Sequence, residues 1–328
     1  MRGAEHAEAA ALADARARNV AARGATLYVS LEPCDHVGLT PACSAAIVEA
    51  GIARVVIGTL DPNPRTAAGG VARLRAAGVA VDVADDDWSR ELIEEFAASV
   101  ARTRPYVRLK MAASLDGFVA PRTGERHWLT GAEARDYVRE LRARYDAVLV
   151  GAGTVRVDDP QLTVRPPRAR RKPYLRVVAC EDAPVPETRA VFAPVEGYAP
   201  TLVLAPAGKR DAFAALEAHA DVAYVGGAEA QTLELGAALE TLHGRGITSV
   251  LCEGGPTLAA RLLARGLVDR VDWLVAPEFL GAPGAVAALT AGPGERRLRF
   301  DRFERLGPDL LISALVLGAA SEAACSAV

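Results

Sequence analysis

The stretch Leu31-Glu32-Pro33-Cys34-Asp35-His36-Val37-Gly38-Leu39-Thr40-Pro41-Ala42-Cys43 puts two prolines, two cysteines and a histidine into one short segment. The residues before it, 25–30, form a short apolar run of the kind that makes a buried strand, so Pro33-Cys34 falls at a strand end. The residues after it, 43–50, read as a helix that Gly51 stops. Working outward, 53–58 gives a second strand, 70–77 a second helix and 79–83 a third strand, while 4–22 is an alanine-rich helix upstream. Such alternation predicts a parallel sheet covered by helices, an α/β fold.

A helix over 88–102 closes this region near Arg104-Pro105, and the apolar pattern restarts as Tyr106-Val-Arg-Leu-Lys-Met-Ala112. The spacing therefore predicts one domain over 1–104, a second over 105–317 and a small-residue tail over 318–328. The second domain is again α/β. Its expected strands are 106–112, 147–150, 175–179, 201–205, 222–225, 249–252 and 271–276, and its helices 133–145, 234–245 and 258–265. The proline-rich segments 166–173 and 183–194 read as loops.

Composition narrows the function. A chain of 328 residues, 51% hydrophobic and 24% charged, has room for two cores of ordinary size. No uncharged apolar run is long enough to cross a membrane, and the first residues lack the apolar stretch of a secretory signal, so a cytoplasmic protein is expected. The net charge of -3 gives no broad footprint for nucleic acid or anionic lipid, which favours a small-molecule substrate. The local exception is the basic run Arg168-Ala169-Arg170-Arg171-Lys172, read as a loop. Five scattered cysteines, Cys34, Cys43, Cys180, Cys252 and Cys325, form no pairing framework. Cys34 and Cys43 thus need an explanation other than a disulfide.

A zinc site that activates water needs three protein ligands, an open fourth position and a carboxylate to shuttle the proton. His6, Cys34 and Cys43 can be the ligands and Glu8 the acid/base. Either cysteine alone reads equally well as a small buried hydrophobe; the four residues in this order favour zinc. Their pattern is close to the His-x-Glu and Pro-Cys-x-x-Cys signature of zinc nucleobase deaminases, with the second cysteine here nine positions beyond the first. His36 is a substrate contact or an ordinary loop histidine. In the second domain Gly151-x-Gly153-Thr154 follows a strand, and Glu253-Gly254-Gly255-Pro256-Thr257 ends a strand and opens a helix. One glycine turn alone is only a tight turn. Two at strand ends provide close backbone approach and free N–H groups for a phosphate.

The long Cys34 to Cys43 spacing makes the first segment resemble the riboflavin-pathway deaminases. Lys110-Met-Ala-Ala-Ser-Leu-Asp-Gly117, Gly124-Glu-Arg-His-Trp-Leu-Thr130, Leu141-Arg-Ala143, Val148-Leu-Val-Gly-Ala-Gly-Thr-Val155, Asp158-Asp-Pro-Gln-Leu-Thr-Val-Arg165 and Cys252-Glu-Gly-Gly-Pro-Thr-Leu258 resemble the reductases of that pathway. The resemblance implies a truncated cytidine-deaminase-like domain followed by a dihydrofolate-reductase-like domain, using Zn2+ and NADPH. It implies a phosphorylated pyrimidine substrate, deaminated and then reduced at its ribose, and it is compatible with a homo-oligomer. By position, Trp128, Thr154, Asp158, Gly255, Pro256, Thr257 and Arg261 would face NADPH. His36, Arg142, Leu162, Arg165 and Glu253 would face substrate, with Arg142 and Arg165 as forks for its phosphate. Lys110 either polarises the reacting ribose or is a solvated strand residue.

The chain also departs from the family pattern. Relatives carry a helix and two strands before the His-Ala-Glu motif, whereas this chain starts almost on it. An unpaired sheet edge is expected, from a start placed too far downstream or from a decayed deaminase. Leu39 replaces a basic residue that contacts substrate, Arg126 a serine beside substrate, and Cys180-Glu181 an Asp-Ser beside the cofactor, where Glu181 would repel a phosphate. These changes keep two alternatives open: a reductase with an inactive deaminase segment, or a paralogue acting on another pyrimidine. A non-catalytic binding protein would release no ammonia and oxidise no NADPH.

Overall fold

Helix α1 (Ala7–Ala17) and strand β1 (Thr26–Leu31) lead into the cysteine-bearing loop, and α2 (Cys43–Glu49) leaves it. Then follow β2 (Arg54–Thr59), α3 (Gly69–Ala76), β3 (Ala80–Val83), α4 (Asp87–Leu92) and α5 (Glu94–Ala101). This computed structural model describes residues 6–36, 41–63, 66–168, 172–281, 283–290, 292 and 294–317. Leu39, Arg170, Arg171, Cys325 and the expected tail lie outside the described residues. The chain divides into two compact units, Met1–Thr103 and Arg104–Val328.

In the first unit the strands form a parallel sheet in the order β1-β2-β3. Ile47 from α2, Val71 and Leu74 from α3 and Leu12 from α1 pack with Val55 and Ile57 of the central strand. β2 is flanked on both sides, and Val55 and Ile57 are fully buried. β1 pairs only with β2 among the described residues, and Tyr28 on it is 73% exposed. The edge expected from the sequence is there. The helix expected over 88–102 is instead two helices broken at Ile93, which has φ -104° and ψ 6°. Neither Gly nor Pro marks this break, so the apolar pattern runs straight through it. Asp86 caps α4 by accepting from the backbone and hydroxyl of Ser89, each at 2.9 Å.

The second unit opens with β4 (Tyr106–Ser114), β5 (Phe118–Ala120), α6 (Ala132–Arg144), β6 (Ala147–Gly151), α7 (Ala152–Asp158), β7 (Leu175–Ala179) and β8 (Leu202–Pro206). It continues with α8 (Arg210–Phe213), β9 (Asp221–Val225), α9 (Leu235–Gly244), β10 (Ser249–Cys252), α10 (Pro256–Ala264), β11 (Arg270–Ala276), β12 (Val286–Ala287), β13 (Arg297–Leu306) and β14 (Asp309–Leu317). Nine strands form one sheet in the order β13-β14-β11-β4-β10-β6-β7-β8-β9. From β11 to β9 all neighbours are parallel; β14 and β13 add antiparallel to that edge. Alternate residues of β6 and β7 enter opposite cores: Leu149 and Val177 pack toward α9 and α10, while Val150 and Val178 pack toward α7. Both faces are covered, which is why these strands are almost wholly apolar.

The β13–β14 hairpin corrects the reading from sequence, whose last strand ends at residue 276. Arginines at 297, 299, 302 and 305 break the apolar signal of β13, which lies exposed at the sheet edge. The bidentate pair of Arg104 with Asp269, at 2.7 and 2.8 Å, ties the start of β4 to the turn before β11, and Asp269 also accepts from the Val107 N–H at 2.8 Å. Buried Asp309 accepts from the Gly131 N–H at 2.7 Å and places a carboxylate at the N-terminus of α6. β10 enters between β4 and β6, so the chain order reverses there. Strand ends at such a reversal open a crevice, the usual ligand position in open α/β sheets.

Candidate active sites

His6 sits at the N-cap of α1 in extended backbone, so its side chain hangs off the helix end beside the loop after β1. Its Nδ1 lies 3.5 Å from Cys34 Sγ and 3.2 Å from Cys43 Sγ, and all three donor atoms fall within 4.8 Å of one another. A tetrahedral zinc with its usual bond lengths spaces such donors by roughly 3.5–4 Å. The donor set and spacing therefore fit zinc. Cys43 begins α2, and its backbone N–H donates to Cys34 Sγ at 3.4 Å. Burial pushes the Cys43 thiol up, and the nearby Glu8 carboxylate and Cys34 push it further. A bound divalent cation reverses that balance and holds both sulfurs as thiolates. Glu8, in the first turn of α1, lies close enough to the Cys43 thiol to act on it.

Two carboxylates to which the sequence assigns no role build the loop behind this triangle. Glu32, 4% exposed, accepts from the backbone N–H groups of Asp61 at 3.2 Å, Ala68 at 3.0 Å and Val71 at 3.1 Å. Asp35 accepts from the Ser44 hydroxyl at 2.6 Å and pairs with Arg73 at 3.0 Å. Gly70 is required here: a Cβ on it would stand 1.9 Å from the Pro33 carbonyl oxygen. Thus α3 can rest on the turn that presents Cys34. His36 is exposed at the edge of this loop.

In the second unit the crevice at the strand ends has a volume of about 730 Å³, the size of a cofactor or drug-sized ligand site. Trp128, Arg142, Thr154, Asp158, Leu162, Arg165, Glu253, Gly255, Pro256 and Thr257 all line it, as does Lys110. Glu253 is its electrostatic centre. Arg142 Nε and Nη2 grip the two Glu253 oxygens at 2.5 and 2.9 Å, and Lys110 Nζ lies 3.8 Å from the same carboxylate. Burial alone would raise Glu253, but Arg142 and then Lys110 outweigh it and hold the carboxyl below its ordinary value. Burial pushes Lys110 down, with Glu253 opposing it. Lys110 is thus a largely buried strand residue beside a carboxylate, its side chain 19% exposed. The Arg142 fork, expected on a sugar phosphate, lines the crevice and is held by Glu253.

Trp128 is 63% exposed, with the Arg126 guanidinium 4.4 Å from its ring centroid and that of Arg135 at 5.6 Å. Burial raises Asp158, and Arg126 and Lys110 draw it back. Gly151 and Gly153, expected to form a turn, are the N-cap and an interior residue of α7. A Cβ at Gly153 would meet nothing within 4 Å, whereas one at Gly255 would stand 3.0 Å from Thr154 Oγ1, so the glycine lets the N-termini of α7 and α10 approach without displacing that hydroxyl. Leu162 is buried with φ +54° and Asp159 has φ +44°, conformations that cost L-residues about 1–2 kcal/mol each. Arg165 has neutral partners, Thr163 Oγ1 at 2.8 Å and Gln161. Arg261 lies one turn beyond Thr257, bonded to Glu181 and to the Leu233 carbonyl at 3.1 Å. The Asp116-Gly117 turn does more than reverse the chain: Asp116 accepts from the N–H groups of Leu280 and Gly281 and pins that loop.

The donor triangle and the crevice together define a class: a zinc deaminase unit joined to a reductase unit. Residues 105–312 match the family model described as RibD C-terminal domain, and residues 2–59 match the cytidine and deoxycytidylate deaminase zinc-binding region. The chain belongs to the RibD family. It is 38% identical over 313 residues to the riboflavin biosynthesis protein RibD of Aquifex aeolicus, covering 94% of this chain and 85% of that one. With RibD of Escherichia coli the identity is 34% over 331 residues, covering 94% and 86%. Among solved structures, Acinetobacter baumannii RibD superposes with a TM-score of 0.80 at 34% identity, covering 97% of this chain and 87% of that one. The Thermotoga maritima diaminohydroxyphosphoribosylaminopyrimidine deaminase/5-amino-6-(5-phosphoribosylamino)uracil reductase gives 0.80 at 33% identity, covering 96% and 86%. No helix among the described residues is long and apolar enough to cross a membrane.

Proposed function

We propose that the chain carries out two successive steps of riboflavin biosynthesis. The first is hydrolytic deamination of 2,5-diamino-6-ribosylamino-4(3H)-pyrimidinone 5′-phosphate. The second is NADPH-dependent reduction of the ribose of 5-amino-6-(5-phosphoribosylamino)uracil. The observation that carries this reading is the closure of His6, Cys34 and Cys43 on one point beside Glu8.

When bound, zinc supplies an activated water and NADPH supplies a hydride. Glu8 takes the proton of the attacking water and returns it to the departing amine; a C–O bond forms, the C–N bond breaks and ammonia leaves. In the crevice Arg142 fixes Glu253, and Glu253 in turn holds Lys110; Lys110 is the group we assign to the opened ribose. Arg165, whose partners are neutral, is the cation we assign to the sugar phosphate. Trp128, Thr154, Asp158 and the turn Gly255 to Thr257 line the dinucleotide path, with Leu162 on the substrate side; His36 is assigned to the first substrate. The charge of the crevice supports anionic ligands: Lys110, Arg122, Arg126, Arg135, Arg139, Arg142 and Arg165 line it against Glu125, Asp158 and Glu253.

The test offers the purified chain each pyrimidine phosphate separately and follows ammonia and NADPH. Ammonia from the diamino compound with NADPH oxidation on both is the expected result. Oxidation on the deaminated compound alone would leave a reductase with an inactive zinc unit.

A further inference from the structure

The proposed dinucleotide path runs along the ends of β10 and β6, and β7 is the next strand in the sheet. Glu181 stands two residues beyond β7, with a half-buried carboxylate closed on the Arg261 guanidinium. Arg261 also donates to the Leu233 carbonyl. The other cations around this loop are held by its backbone: Arg156 Nη2 bonds the carbonyls of Ala183 at 2.9 Å and Pro184 at 3.1 Å, and Lys209 Nζ bonds that of Asp182 at 3.0 Å. In nucleotide sites built on parallel strands, an acid at the end of the strand beside the glycine turn accepts the ribose 2′-hydroxyl, and an arginine there takes a 2′-phosphate. Here both residue types are present and bonded to each other. A 2′-phosphate at this place would meet the Glu181 carboxylate and would have to compete with it for Arg261; a 2′-hydroxyl would not.

We infer that Glu181 sets the dinucleotide preference of the reductase unit, accepting an adenosine 2′-hydroxyl and opposing a 2′-phosphate, so that NADH is taken as well as NADPH. The inference rests on the reading that a nicotinamide dinucleotide lies along this crevice. Calorimetric titration of the full chain with NADH, NADPH, AMP and adenosine 2′,5′-bisphosphate tests it without turnover. Wild type is expected to bind the members of each pair within about tenfold of one another. E181Q, which keeps the shape and removes the charge, is expected to tighten binding of the 2′-phosphorylated member by about tenfold and leave the other nearly unchanged. E181S is expected to tighten the phosphorylated member and weaken the other. A purely structural role for Glu181 would move both members together, and an unchanged ratio in both variants overturns the inference while leaving the crevice a dinucleotide site. Absence of binding by every ligand to wild type overturns the inference and the reading beneath it.

Discussion

The donor triangle of the first unit and the charge network of the second solve opposite problems of burial. His6 stands exposed at a helix start, and only Cys43 of the three donors is buried. Three donors on one point have no need of a dry interior, because a divalent cation supplies the energy that gathers them. Glu253, by contrast, is 7% exposed, and Lys110 and Arg142 close over it from a strand and a helix distant in sequence. Nothing but the surrounding fold holds those charges together. The first site should therefore fail when its ion is removed, and the second when any one of its charges is.

The largest expected effect comes from breaking the triangle. C34S or H6A should abolish stoichiometric zinc and lower ammonia release by about 10³-fold or more, while reduction of the deaminated substrate continues. Metal analysis with the two assays run in parallel checks this, and a matching loss of reduction would end the division into separate sites. Glu8→Gln sharpens the contrast: zinc should remain bound while ammonia release falls by about 10²–10⁴-fold, the range for a positioned acid/base.

Glu253→Gln should act in reverse, sparing ammonia release. It leaves Arg142 and Lys110 facing each other and should cost about 3–5 kcal/mol of unfolding free energy in the second unit, read by denaturant titration. The same network predicts a pH response. Glu253 is held below its ordinary value of 4.5, so its contribution is fully present above that value and is lost as pH falls through the lower folded value. The difference in Tm between wild type and Glu253→Gln should hold steady from neutral pH to about pH 5 and shrink in stronger acid. A difference that instead grew on acidification would mean that Glu253 is not held ionised by its neighbours. The smallest effect is expected from R126S. Removing the guanidinium from the Trp128 face should cost about 0.5–1 kcal/mol and change tryptophan fluorescence, with both activities retained in kind.

The same contrast explains which features are legible in the amino-acid sequence. His6, Glu8, Cys34 and Cys43 are separated by few elements, and their identity and order alone carry the chemistry. The alternation of apolar strands and amphipathic helices likewise carries the α/β class, because β6 and β7 are covered on both faces and are almost wholly apolar. Partnership among distant charges is not legible. Arg142 and Glu253 are separated by 111 positions, and no local pattern says that this arginine meets that carboxylate. The β13–β14 hairpin is hidden for a related reason: an exposed edge strand needs no apolar alternation. Gly151-x-Gly153 reads as a turn because glycine weakens a helix signal, yet short α7 begins there.

If one chain holds two working sites, a single progress curve should show both. Ammonia release and NADPH oxidation are followed together after the zinc-loaded chain is given only the diamino pyrimidine phosphate. Ammonia should appear first and NADPH oxidation follow it to a final ratio of one to one, since each deaminated molecule is reduced once. NADPH oxidation without ammonia, or ammonia that is never followed by oxidation, would contradict the presence of two working sites.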